Sequence, residues 1–261
     1  MLRALYSAAA GMQSQQLNLD VIANNLANVN TTGFKKTKIE FQDLLYQTTR
    51  AAGADQGGGN VTPTSLQIGH GSQLAATPKI FTMGELTATG EEKDLAIQGD
   101  GFFKIQLPDG TEAYSRDGGF KLASDGHLTT SEGYPLLGGV GSVPAGTTHL
   151  TVAPTGDVTA SLQTGTQSLG RLQLFRFTNA GGLDSVGGNL YRDTQASGQA
   201  LAGNPGENGI GTVRQGYLEM SNVKVVEEMV NLIVAQRAYE VNAKAVQAAD
   251  EMMQLSNNLR R

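Results

Sequence analysis

Both ends of this chain carry an apolar repeat of threes and fours, and the stretch between them follows a different period. Leu5, Ala8, Met12, Gln15, Leu19, Ile22, Leu26 and Val29 hold that step, which predicts a helix over about 2–30 with a coiled-coil seam. A second seam, Leu2, Leu5, Ala9, Met12, Gln16, Leu19, Ala23 and Leu26, runs beside it. At the other end, Val234, Ala238, Val241, Ala245, Ala248, Met252, Leu255 and Leu259 form one seam of a helix over about 222–259. Val225, Met229, Leu232, Gln236, Tyr239, Ala243, Val246 and Met253 form another. Ser221 is a candidate cap for its start.

The outer faces are unusual. Between Ala4 and Phe34 the only charged residue is Asp20, and Asn18, Asn24, Asn25 and Asn28 stand where Lys and Glu usually do. Amides donate and accept without the desolvation cost of ions. The pattern predicts helices surrounded by protein on several sides, marginal in isolation and ordered on assembly. Gly33 is the expected terminator of the first helix. Lys35, Lys36 and Lys38 follow it, where they suit the helix dipole and a solvated, salt-bridging face.

The middle changes period. Asp-Gly pairs begin at positions 100, 109, 117 and 125, and Glu132-Gly133 continues the rhythm. Short alternating runs lie between them: Phe103, Ile105 and Leu107; Phe120 and Leu122; Leu128. Asp-Gly suits hairpin turns, so this is a β-meander. "RLQLFRFT" reads as a further strand with Leu172, Leu174 and Phe177 inward and Arg171 and Arg176 outward. Residues 46–65, with the Gly57–Gly59 run, read as a linker that becomes ordered in an assembly. The predicted class is α+β: terminal helices pair as a coiled coil around an inserted all-β domain of meander or barrel-like form. The predicted segments are 1–35 (first helix), 36–75 (extended linker), 76–217 (β-domain) and 218–261 (second helix).

Little points to chemistry. The net charge of −5 and the absence of cysteine give no pull toward nucleic acid and exclude disulfides and thiolate metal sites. No apolar run spans a bilayer, so direct membrane insertion is not expected. "MLRALYSAAAGMQ" mimics a signal peptide, but helical periodicity runs through its supposed cleavage site; export without a cleaved signal is expected. His70, His127 and His149 lack ligand spacing and read as surface residues. The Asp-Gly series lacks EF-hand or β-roll spacing. Glu91, Glu92 and Asp94 read as a solvated turn rather than an acid/base pair. No catalytic, cofactor or metal residue is predicted.

Three stretches then carry a resemblance. "ANNLANVNTTGFKK" resembles the N-terminal signature of the bacterial flagellar rod and hook proteins. "DLAIQGDGFFKI" with "YSRDGGFKLASDGHL" resembles their shared β-domain, and "QGYLEMSNVKVVEEMVNLIVAQRAYEVNAKAVQAADEMMQ" their C-terminal helix. They occur in family order and cover nearly the whole chain. "FQDLLYQTTR", "TPTSLQIGHG" and the lack of extra outer domains resemble the distal-rod branch more than the middle-sized proximal branch.

The resemblance implies a structural subunit of a helical, hollow drive shaft. It would cross the periplasm, transmit torque to the hook and pass exported subunits. Implied partners are further copies, other rod proteins, the hook protein, the L and P ring bushing and the type III export apparatus. Implied interface residues are Leu5, Met12, Leu19, Ile22, Asn24, Asn25, Leu26, Asn28, Val29, Val234, Val241, Met252, Leu255 and Leu259. Tyr46, Gln47, Arg50 and Pro63 mark the segment expected to stiffen the tube. Two rivals are an extracellular β-rich adhesin on a coiled-coil stalk and a wall hydrolase carried on the rod. The first predicts a signal peptide; the second needs a convergent acid or nucleophile site. Neither feature is evident.

Overall fold

The computed structural model describes residues 2–53, 63–163 and 165–258. Helix α1 is Leu2–Ala27 and helix α2 is Val225–Asn258. Strands β1 (Glu40–Asp43), β2 (Tyr46–Arg50), β3 (Leu66–Gly69) and β4 (Ser72–Ala76) follow α1. A series of short strands lies between Leu86 and Glu219. The chain is therefore α+β, with a helix near each end and a strand-rich middle. It divides into two compact units: Met1–Leu26 with Thr37–Pro78 and Val225–Arg261, and Ala27–Lys36 with Lys79–Lys224.

In the first unit, α1 ends at Ala27, six residues before Gly33, so Gly33 is not its terminator. Helix α2 begins at Val225 with Glu227 and Glu228 in its first turn, where acids suit the positive end of the dipole. Ser221 is no helix cap. Its hydroxyl accepts the Val223 N–H at 3.3 Å and turns the chain before the helix starts.

The expected linker is instead a hairpin. β1 pairs with β4 and β2 with β3, both antiparallel, with Phe41 opposite Leu74 and Tyr46 opposite Gly69. Tyr46, Thr48 and Thr49 are good strand formers, which outweighs the Gly and Ser composition around them. The Gly57–Gly59 run lies outside the described residues. Every residue of β2 is exposed.

The second unit holds the cores. A mainly aliphatic cluster includes Leu95, Ile97, Leu172, Leu174 and Val213 with Phe103 and Phe120. An aromatic one includes Phe102, Tyr114, Phe175, Phe177 and Tyr191. The adjacent phenylalanines of "DGFFKI" thus feed different clusters. Phe103 meets Phe120 edge-on at 5.1 Å, and Phe102 meets Phe177 at 5.6 Å, the favoured aromatic geometry. Leu172, Leu174 and Phe177 are inward as expected, but "RLQLFRFT" is two strands, broken after Arg171.

The sheets are small and open. The five-stranded one runs Leu136–Leu137, Phe103–Gln106, Glu112–Ser115, Leu190–Arg192, Asp184–Gly187. A three-stranded one joins Thr147–Val152, Asp157–Leu162 and Gly165–Arg171. Among the described residues no sheet closes into a barrel.

One turn recurs. Gly110, Gly126, Gly133 and Gly156 each donate an N–H to the carbonyl three residues back, with φ between +80° and +90°. The residue at that carbonyl donates in turn to the carbonyl of the residue following the glycine. This is the three-residue hairpin loop with its glycine in the left-handed region. Asp100-Gly101 and Asp117-Gly118 were expected to do the same and do not. The strand before Asp100 pairs with Thr212–Gln215 instead, and Gly118 packs against Leu95.

Burial pushes the Tyr114 phenol up to about 12, helped by Glu112 and Asp193, and moves Tyr191 upward as well. Above pH 10 the unfolded chain releases the Tyr114 proton while the folded chain keeps it. The stability that Tyr114 contributes is therefore full below pH 10 and falls as pH rises toward 12. Urea unfolding at pH 9, 10 and 11 should show the decline, and Tyr114→Phe should make it shallower. An unchanged slope would remove Tyr114 as its cause.

Candidate assembly surfaces

In the second unit, Gly33, Phe34 and Lys35 of the signature "TTGFKK" are buried. Gly33 donates its N–H to the Glu219 carbonyl at 2.8 Å. Its φ is +68°, and a Cβ there would sit 2.5 Å from the Asp117 nitrogen, so the position takes glycine alone. Phe34 is buried, and the Lys79 ammonium lies 5.0 Å from its ring centre.

Lys35 was expected on a solvated face and is fully buried. Its Nζ donates to Glu219 Oε1 and to the Thr82 carbonyl at 2.8 Å. Arg116 donates to Glu219 Oε2 at 3.3 Å, and the Gly84 N–H reaches Oε1 at 2.8 Å. The guanidinium also lies 5.3 Å from the Phe102 ring centre. Burial pulls the Lys35 ammonium down and the Glu219 carboxylate pulls it back up. Two buried cations thus share one carboxylate. Sequence reading missed this because Lys35 and Glu219 are 184 residues apart. Asn222 completes the joint. Its amide oxygen accepts the Lys36 N–H at 2.7 Å, and its nitrogen donates to the Ile80 carbonyl at 2.8 Å.

In the first unit Asn25 is 2% exposed, and its amide exchanges two bonds of 2.9 Å with the Thr37 backbone. Ile22 is 4% exposed. These two expected interface residues are therefore engaged inside the protomer. Ser14 contacts Ser72 on β4, and the Asn242 amide lies against Gly11. Leu5, Met12, Leu19, Leu26, Asn28 and Val29 are half-buried, and Asn24 is exposed. Tyr46, Gln47 and Arg50 are exposed on β2, and Pro63 is exposed beyond it.

Helix α2 is two-faced. Glu228, Ala235 and Ala249 are buried at heptad spacing, with Asn242 half-buried in the same register. The other face leaves Val234 62%, Val241 65%, Met252 51% and Leu255 63% exposed. Val226 and Val230 extend this stripe, and Leu259 lies outside the described residues. So many exposed apolar side chains along one helix face mark a protein interface.

The acidic turn does less than expected for solvent. Asp94 is buried and accepts the Thr89 hydroxyl at 2.6 Å, and Glu92 holds His149 Nδ1 at 2.6 Å. All three histidines are exposed.

Three family models match the chain in order. They are a flagella basal body rod protein model over residues 5–35, the flagellar hook protein FlgE/F/G D1 domain over 96–160, and the flagellar basal body rod FlgEFG protein C-terminal model over 214–259. Flagellar basal-body rod protein FlgG of Borreliella burgdorferi is 49% identical, and the match spans 100% of both chains. The chain belongs to the flagellar basal-body rod protein family. The Bacillus subtilis FlgG is 44% identical over 100% of both chains. A FlgF from Caulobacter vibrioides is 36% identical over 95% of this chain and 94% of its own. The family's role is structural, in the basal-body rod of the flagellum. The first matched segment ends at Lys35 and the last contains Glu219, so the family models include both partners of the buried ion pair.

Proposed function

We propose that this chain is the distal-rod subunit, stacking helically into a hollow shaft that crosses the periplasm, drives the hook and passes exported subunits. The observation that carries this is the exposed apolar stripe of α2 from Val226 to Leu255. A lone protomer leaves it in water, and copies packed side by side would cover it. Pairing of α1 with α2 as a coiled coil is part of the reading, supported by the approach of Asn242 to Gly11. Leu5, Met12, Leu19, Asn24, Leu26, Asn28 and Val29 then meet neighbours. Other rod proteins, the hook protein, the L and P rings and the type III export apparatus are the remaining partners.

The β2–β3 hairpin supports the stiffening role of Tyr46, Gln47, Arg50 and Pro63. A two-stranded ribbon alone is marginal in water, and this one exposes Tyr46, Leu66 and Ile68. Neighbouring subunits would hold it.

The test is Val241→Glu. Val241 is 65% exposed, so the protomer should fold with its melting temperature nearly unchanged. Burying that charge against a neighbour is costly, so cells carrying the variant should lose rods and motility. Normal motility would refute the shaft reading.

A further inference from the structure

In the first unit, α1 and the β1–β4 ribbon leave an open cleft of about 210 Å³. Its walls are Leu17, Val21, Ile39 and Leu74, and Asp20 stands among them. An apolar cavity of about 150 Å³ accepts a benzene ring, so this one has room for branched aliphatic side chains. Asp20 is exposed and makes no ion pair among the described residues. A carboxylate that is the one charge between Ala4 and Phe34, beside an apolar cleft, suits an incoming surface that is apolar with one cation.

Helix α2 presents that surface. Arg237 lies at the centre of the exposed stripe, one turn from Val234 on one side and Val241 on the other. It too is exposed and makes no ion pair among the described residues. Covering the stripe would bury the guanidinium, and a buried cation without a counter-charge is strongly destabilising.

We infer that the α1–ribbon cleft of one subunit receives the Val234–Val241 segment of α2 from a second copy, with Arg237 paired to Asp20. This rests on the polymer reading above and adds its register. The contact is head-to-tail, since cleft and stripe are different surfaces, so it propagates rather than closing as a two-fold dimer.

Two measurements test it. Thr77→Cys and Val241→Cys in one chain place a thiol at the cleft rim and one in the stripe. The natural chain has no cysteine to interfere, and the ion pair is left intact. A short thiol–thiol cross-linker applied to assembled rods should give a ladder of covalent dimers, trimers and longer chains. Assembled rods that yield only monomers would overturn the inference while leaving the shaft reading standing.

The second measurement is charge reversal. Asp20→Arg and Arg237→Asp should each lower rod assembly at least tenfold, and the double variant should restore most of it. Two independent losses without restoration would overturn the pairing. If Val241→Glu rods assemble normally, the shaft reading itself fails, which separates the two outcomes.

Discussion

Replacing Glu219 by alanine is expected to cost the β-rich unit about 3–5 kcal/mol, the penalty for leaving buried charge without its partner. Lys35 and Arg116 both lean on this carboxylate, at 0% and 2% side-chain exposure. The Gly84 N–H also loses its acceptor. Glu219→Gln separates these roles. The amide keeps an acceptor for Gly84 but removes the charge, so it should recover only a minor part of the loss. Urea unfolding of the full chain, followed by near-ultraviolet signals from the tyrosines, reads the effect. A change below about 1 kcal/mol for alanine would mean that water relieves both cations. Replacing Lys35, Arg116 and Glu219 together by apolar residues should cost less than the single alanine, because no charge is stranded.

Gly118→Ala should be nearly as damaging, for a different reason. A Cβ at Gly118 would lie 1.6 Å from the Leu95 carbonyl oxygen, and backbone cannot rotate out of the way as a side chain does. The Leu95 N–H also bonds the Gly118 carbonyl at 3.0 Å, so separating the segments breaks that bond too. The expected loss is about 3 kcal/mol or more. Gly110→Ala is the control. Unlike Gly118 it is left-handed, with φ +80°, and no atom lies within 4 Å of the added carbon. It should lose only about 1–2 kcal/mol from backbone strain. Equal effects at the two sites would show that close approach is not what Gly118 provides.

The contrast between those glycines also marks what a sequence makes legible. Asp109-Gly110, Asp125-Gly126 and Glu132-Gly133 were readable because hairpin loops are local and their chemistry sits within a few residues. Asp117-Gly118 has the same letters, but its glycine answers to Leu95, more than twenty residues upstream. The helices were legible for the same local reason, but the buried face of α2 was not: Glu228, Ala235, Asn242 and Ala249 belong to neither apolar seam, and the seam through Val234 and Val241 is exposed. Lys35 was not. A lysine after a helix belongs on the surface by every local rule, and only Glu219 makes burial tolerable. Asn25 misled in the opposite direction. Its amide looked available to a neighbour, yet the chain turns back and supplies the Thr37 backbone. The pairing of the strands between 40 and 76 was hidden because they are short and exposed on both faces, so no alternation of burial writes them into the sequence.

The long reach of the Lys35–Glu219 bond also has a kinetic meaning. The ion cluster closes a loop of 184 residues, and loop closure is an entropic cost met before the contact rewards it. On the export route proposed above, this contact would form only once both Lys35 and Glu219 had been delivered, so the cluster would be among the last parts of the fold to close.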